Sequence, residues 1–445
     1  MRIVLYFIIA LSVFHSGFAQ EIKHKSLASF LGDGQVNGKS RLYYMATDNA
    51  SGLSDYHGLG FGAGIGFTSP TFKGFSVGMS GYFILNAYSS DFTIPDSITQ
   101  NPNRYELGLF DVTDPENKSN LYRLEDLWIQ YKKDHLKLRY GQFVPNYLFI
   151  NPQDGRMSPT MTRGFEGNWQ KGKSAVVVAF IHDISPRSTV KWYNVSETFG
   201  IYPSGRAVDG SASDYQGNID TKGIFLAEWN QKVATQTSIK LGSMSVLGVF
   251  QTWYANISSS KNGWTANAMG IYQHALNPET NQSYFVSGDN SLVFSGQIAK
   301  KIKRWQANIN YTRIANKGRF LMPREWGREP FYTFLPRERN EGLADTHAVT
   351  VQIKNEVNKE LSFNLGLGKY WLPNPLEANK NKYAMPSYNQ LNVEANYSFT
   401  GWLEGAKVKA LFVRKEGTQD SLENPKFVFN KVNLNILNII LNYNF

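Results

Sequence analysis

Cysteine is absent from all 445 residues, which excludes a disulfide framework, a thiolate metal site and a cysteine nucleophile. Long apolar runs are scarce as well. Beyond the first stretch of the chain none is long enough for a membrane-crossing helix, and mean hydropathy is -0.36. No helical period runs for any length. The seven histidines, such as His57, His135, His182, His274 and His347, are scattered without metal-ligand spacing, so neither a metal nor another cofactor is expected. His182 and Ser185 are close in one loop, but no glycine elbow or third partner accompanies them. An enzyme is not the expectation.

What is present is alternation. From Gly58 to Phe67 the residues Leu59, Phe61, Ala63, Ile65 and Phe67 face one way, while Gly58, Gly60, Gly62, Gly64 and Gly66 face the other. A row of glycines on one face implies close approach of another segment, or space kept open. Residues 75–85, 135–143, 303–312, 344–354 and 361–368 alternate in the same way. Aromatics make up 14% of the chain, enough for two interfacial girdles. Connections differ sharply in length. Short links near residues 132–134, 171–173, 301–303 and 357–359 alternate with long ones at 90–120, 146–161, 184–221, 277–290, 316–343 and 372–386. That rhythm predicts a transmembrane antiparallel up-and-down β-barrel with short periplasmic turns and long outer loops. A tight outer turn near 247–250 brings the count to about 18 strands, with about 16 as the fallback.

The ends agree with export. Residues 1–19 read as a secretory signal peptide: Met1-Arg2, an apolar run from Ile3 to Val13, then Gly17-Phe18-Ala19. Residues 20–36 form a short periplasmic segment, too short for a plug, and 37–445 a single barrel domain. The last strand sets Leu437, Ile439, Leu441, Tyr443 and Phe445 outward against Asn438, Asn442 and Asn444. Its terminal Phe resembles the signal by which outer-membrane barrels engage their assembly machinery. The expected location is the outer membrane of a Gram-negative bacterium, in contact with lipid and lipopolysaccharide.

Charge suggests the cargo. Lys+Arg 46 against Asp+Glu 36 leaves +10; export argues against nucleic acid, and a basic lumen drawing small anionic or carboxylate-bearing solutes is the better reading. The loop at 146–161 is third in order, where a barrel folds a constriction inward. There Asp154 and Arg156 are close enough to hold each other, and Arg163 lies at the mouth of the returning strand; a solvated loop stiffened by the Asp-Arg pair is the plain alternative. A second run, residues 319–339, carries Arg319, Arg324, Arg328, Arg337 and Arg339 among aromatics and interleaved glutamates. Phase places Lys137 and Arg139 inward, along with Lys407 and Lys409, because a charge in lipid costs about 2–4 kcal/mol at the midplane.

Gly38-Lys39-Ser40-Arg41-Leu42-Tyr43-Tyr44, the alternating 60–67 strand, Arg139-Tyr140-Gly141, Asp154-Gly155-Arg156-Met157-Ser158-Pro159 and Asp289-Asn290 together give a resemblance. The chain is similar to OprD-type outer-membrane porins, in a form similar to relatives from Bacteroidetes-like bacteria. The resemblance implies a barrel, monomeric or loosely trimeric (a homotrimer in the latter case), narrowed by inward-folded loops and passing small carboxylate-bearing solutes along wall arginines. Arg156 and Arg163 match its third-loop motif. The expectation is a passive diffusion channel; a surface binding or adhesion barrel is the alternative, and an outer-membrane lipase a further one.

Overall fold

The computed structural model describes residues 31–153, 155–276, 281, 283–285, 290–418 and 420–445. The expected leader, most of the 20–36 segment, Asp154 and Asp289 lie outside these. Eighteen long antiparallel strands, each hydrogen-bonded to its neighbours in sequence, form one closed sheet. The first, Gln35–Asp48, pairs with Tyr56–Thr68 on one side and with the last, Leu434–Asn444, on the other, so the closing strands leave no unpaired sheet edge. The two-residue Tyr193–Asn194 adds only to the rim of Ser174–Ser185. A three-residue turn between Thr237–Val246 and Phe250–Lys261 gives the count of 18 rather than 16.

Local chemistry explains the hairpins. Asn262-Gly263 joins Phe250–Lys261 to Trp264–Ala275 with φ of 51° and 77°, the left-handed pair that a two-residue type I′ turn requires. The outward face follows the expected phase. Phe61, Ile65, Trp305 and Ile309 are exposed there, as are Leu437, Ile439, Leu441 and Tyr443, while Asn310, Thr312 and Asn438 point inward and are buried. Phe445 extends the last pairing, exchanging backbone hydrogen bonds with Gly38. No helix among the described residues is long and apolar enough to cross a membrane.

Inward positions are not polar throughout. Towards the outer end Ile184, Ile224, Val246, Phe250, Val293 and Ile314 all point inward and are fully buried. The cause is what they pack against: long loops fold into the lumen and build an apolar core with Phe149, Phe199, Phe320, Phe331 and Trp326. Inward apolar side chains are stable where protein, not water, fills the space. The bore is therefore a residual passage beside packed loops instead of an open cylinder.

Candidate functional site

The cavity left inside the barrel has a volume of about 1210 Å³ and is lined by parts of several inward loops and of the wall. Its third-loop side is residues 144–160, which reaches across the lumen because three neighbours hold it. Arg41 of the first strand donates to the Arg156 carbonyl at 2.6 Å and to Asn442 Oδ1 at 2.7 Å. Arg123 donates to the Pro159 carbonyl at 2.7 Å and to Ser185 Oγ at 3.0 Å, while paired with Glu125 at 3.0 Å. Tyr147 donates to Glu166 at 2.6 Å. The glycine row on Tyr56–Thr68 supplies the room: a Cβ on Gly60 would lie 2.9 Å from Met157 Sδ. The absent side chain is what lets the loop lie against the wall.

The opposite side is residues 315–345. Trp326 is fully buried, with its ring edge-on to Phe199 and its Nε1 donating to Thr198 Oγ1 at 2.8 Å. Asn151 Nδ2 donates to the Arg328 carbonyl at 2.9 Å, and the Asn151 amide donates to the Trp326 carbonyl at 3.1 Å. Gln153 Oε1 accepts from both Arg187 and Arg339, the latter at 3.0 Å. The two loops thus act as one layer.

Among the described residues seven arginines line the cavity, Arg104, Arg156, Arg187, Arg324, Arg328, Arg337 and Arg339, against two carboxylates, Glu338 and Glu394. What holds these cations is mostly neutral. Arg156 donates to the Gly155 carbonyl, Arg324 to the Pro203 carbonyl and Arg339 to the Gly327 carbonyl, each at 2.8 Å. Arg337 donates to Tyr43 Oη and Asn438. Among the seven, Arg339 alone forms an ion pair among the described residues, at 3.6 Å from Glu329. Carbonyl oxygens satisfy N–H groups without cancelling charge. The crowding is visible in the ionisation of Arg156, which burial and then Arg337 and Arg187 pull down to about 9. Burial alone would raise the Tyr105 phenol, but Lys415, Arg104, Arg337 and Arg156 turn its shift downward. Buried N–H groups stay unpartnered on Arg156, Arg187, Arg337 and Arg339. Such a site carries net positive charge and free donors.

The expected site residues divide. Arg156, Arg324, Arg328, Arg337 and Arg339, from two separate candidate stretches, line one cavity. Arg319 turns away to the Arg206 and Ala378 carbonyls. Lys137 and Arg139 point inward but are spent on Glu166, at 3.9 and 2.9 Å, with Arg139 lying 3.9 Å over Phe143. Arg163 is a correction. It shares a face with the exposed Phe165, pairs with Asp183 at 2.6 Å and lies 4.8 Å over Trp192, away from the cavity. A bulge between Arg163 and Gly164 leaves His182 unpaired beside it, at the outer rim. Asp154 lies outside the described residues. Sequence reading gave no site role to Arg104, Tyr105, Arg187 or Tyr43: the first three lie in long loops with no period to place them, and Tyr43, though inside the 38–44 motif, reads only as a strand residue. Lys409, read as inward, lines the cavity and pairs with Glu394 at 3.2 Å.

No protein-family model matches the chain, and no curated protein matches it significantly in sequence. Solved structures do match the fold. OccAB2 of Acinetobacter baumannii is 12% identical with a TM-score of 0.73, covering 94% of this chain and 99% of that one. OccK9 (OpdG) of Pseudomonas aeruginosa is 14% identical at 0.72, covering 93% and 99%. OpdK of Pseudomonas aeruginosa, crystallised with vanillate, is 14% identical at 0.70, covering 94% and 99%. A further structure of that last protein describes it as an outer membrane protein. At these identities the likeness establishes a shared barrel.

Proposed function

We propose that this protein is an outer-membrane diffusion channel for small solutes, biased toward anions and above all toward those bearing a carboxylate. The observation that carries the reading is the cavity in which seven guanidiniums converge while neutral carbonyls, rather than carboxylates, accept most of their hydrogen bonds. A fixed positive field in a low-dielectric passage raises the local concentration of anions, and guanidinium forks match carboxylate geometry. Passage is passive: solute follows its gradient, and the third loop with residues 315–345 sets the bore. The shared barrel with OccAB2, OccK9 and OpdK supports a channel over an adhesion barrel or a lipase. The last strand, with Phe445 paired to Gly38 at the barrel seam, suits engagement by the outer-membrane assembly machinery.

The test is recording in planar bilayers under a KCl gradient. Discrete conducting steps with an anion-selective zero-current potential are expected. Arg156→Ala with Arg337→Ala should move that potential toward zero, while Arg163→Ala, outside the cavity, should leave it unchanged. No steps, or a cation-selective wild type, would overturn the proposal. Liposome swelling with vanillate, the acid found with OpdK, against a neutral sugar of similar size is the matching solute assay.

A further inference from the structure

One acidic group in the cavity wall has no hydrogen-bond or ion-pair partner among the described residues. Glu338 is 3% exposed, and both of its carboxyl oxygens are buried without a hydrogen bond. Its side chain borders the arginine cavity. Glu394, the other described carboxylate there, is by contrast paired with Lys409.

The charged and titratable groups around Glu338 come from every element packed against it. Its own segment supplies Glu329, Arg328, Arg337 and Arg339; the strand Ala406–Gly417 supplies Lys415. The strands Leu361–Trp371 and Tyr388–Ser398 bring Tyr370 and Tyr388, stacked with ring centres 4.5 Å apart, and residues 90–120 bring Arg104 and Tyr105. The cations are engaged elsewhere. Lys415 Nζ donates to the Arg337 carbonyl at 2.6 Å and sits 4.8 Å over the Tyr388 ring. Arg339 is given to Gly327, Gln153 and Glu329. Arg337 is turned to Tyr43 and Asn438, Arg328 lies over Phe334, and Arg104 lies over Tyr105. Among the described residues none forms an ion pair with Glu338. An ionised carboxylate there would be buried with no side-chain donor turned to it and beside a second carboxylate, and both conditions favour the neutral acid. Burial first and Glu329 second hold its pKa well above the usual range.

We infer that Glu338 stands in the cavity wall as a neutral carboxylic acid, and that its ionisation subtracts one charge from the arginine field. Glu338 thereby sets the strength of anion preference as external pH changes. The inference rests on the anion-channel reading above and names the residue that tunes it. The sign follows from the raised folded-state pKa: the neutral form is kept at low pH and given up as pH rises through that value, so both anion preference and this residue's stabilising share fall with rising pH.

The experiment is the zero-current potential of wild type, Glu338→Gln and Glu329→Gln in a KCl gradient, from about pH 5 to about pH 9. Wild type should lose about twofold or more in the chloride-to-potassium permeability ratio as pH rises. Glu338→Gln, nearly isosteric and permanently neutral, should hold the low-pH ratio throughout. Glu329→Gln removes the like charge and should shift the wild-type midpoint to lower pH. An anion-selective wild type with no pH dependence overturns the inference and leaves the channel reading standing. So does a Glu338→Gln profile identical to wild type, or a midpoint that Glu329→Gln leaves in place. A wild type without anion preference at any pH sinks the channel reading itself.

Discussion

Arg337 Nη2 donates to Tyr43 Oη at 2.8 Å, joining the loop of residues 315–345 to the first strand beside the barrel seam. The same guanidinium reaches Asn438 on the last strand. One side chain thus bridges both strands that close the cylinder and faces the cavity while doing so. Arg337→Ala should act twice: one positive charge is lost, and residues 315–345 come loose from the wall. A weaker anion preference together with higher single-channel conductance is expected. Arg337→Lys keeps the charge but not the fork, so it should restore preference more than it restores conductance. Equal conductance in all three proteins would refute the bridging role.

The contact between Gly60 and Met157 gives a purely steric prediction. A side chain at Gly60 would meet Met157 Sδ at 2.9 Å and Cγ at 3.2 Å. Gly60→Val should push the third loop into the bore at a cost of about 1–3 kcal/mol, as overpacking does. Conductance should fall while selectivity holds, because no charge changes. Restored conductance in Gly60→Val with Met157→Ala would identify the clash as the cause.

Arg123 and Glu125, both 3% exposed at the side chain, form a buried pair that also braces the third loop through the Pro159 carbonyl. Arg123→Ala leaves Glu125 with Lys39 as its only ion-pair partner among the described residues. Removing one member of such a pair costs about 3–5 kcal/mol. Heat-modified mobility on gels should show unfolding at a lower temperature, and open-channel current should become noisier as the loop gains freedom. Arg123→Lys should rescue little, since one ammonium cannot reach Glu125, Ser185 and Pro159 together as the planar fork does.

Much of the wall was legible because strand period and lipid contact impose a strict rule. Trp305, Ala307, Ile309 and Tyr311 read outward and are exposed; Lys137, Arg139, Lys407 and Lys409 read inward on the same logic. The turn at 247–249 was readable from the rhythm of connections. Loop contents obey no period, so the approach of Arg104 and Arg187 to Arg156 could not be anticipated, nor could the inward apolar layer that packs Trp326 and Phe199. Arg163 shows the opposite error. Its phase with Phe165 already placed it outward, and a match to a short motif outweighed that physical cue.

The outer loops carry one more clasp, and its pH behaviour should differ from that of Glu338. Lys382, from residues 372–387, sits with its ammonium 4.8, 5.2 and 5.1 Å from the ring centres of Tyr215, Tyr284 and Tyr383, and 3.5 Å from Glu341. Three other loops meet on it, since Tyr215, Tyr284 and Glu341 come from residues 186–223, 276–289 and 315–345. Burial alone would lower its pKa, but Glu341 and the tyrosines raise it. A lysine with a raised folded-state pKa contributes its full stabilisation below its ordinary value of about 10.4 and loses it only as pH climbs through the raised one. Between about pH 6 and about pH 9 the clasp should therefore hold steady. Lys382→Met keeps the length, removes the charge and leaves the buried Glu341 with the Tyr383 hydroxyl as its one hydrogen-bond donor among the described residues, at a cost of about 3–5 kcal/mol. Limited proteolysis of the inserted protein should then cut the outer loops faster at every pH in that window. An unchanged cleavage rate would mean that the apolar core around Trp326, not the lysine, keeps the loops folded into the barrel.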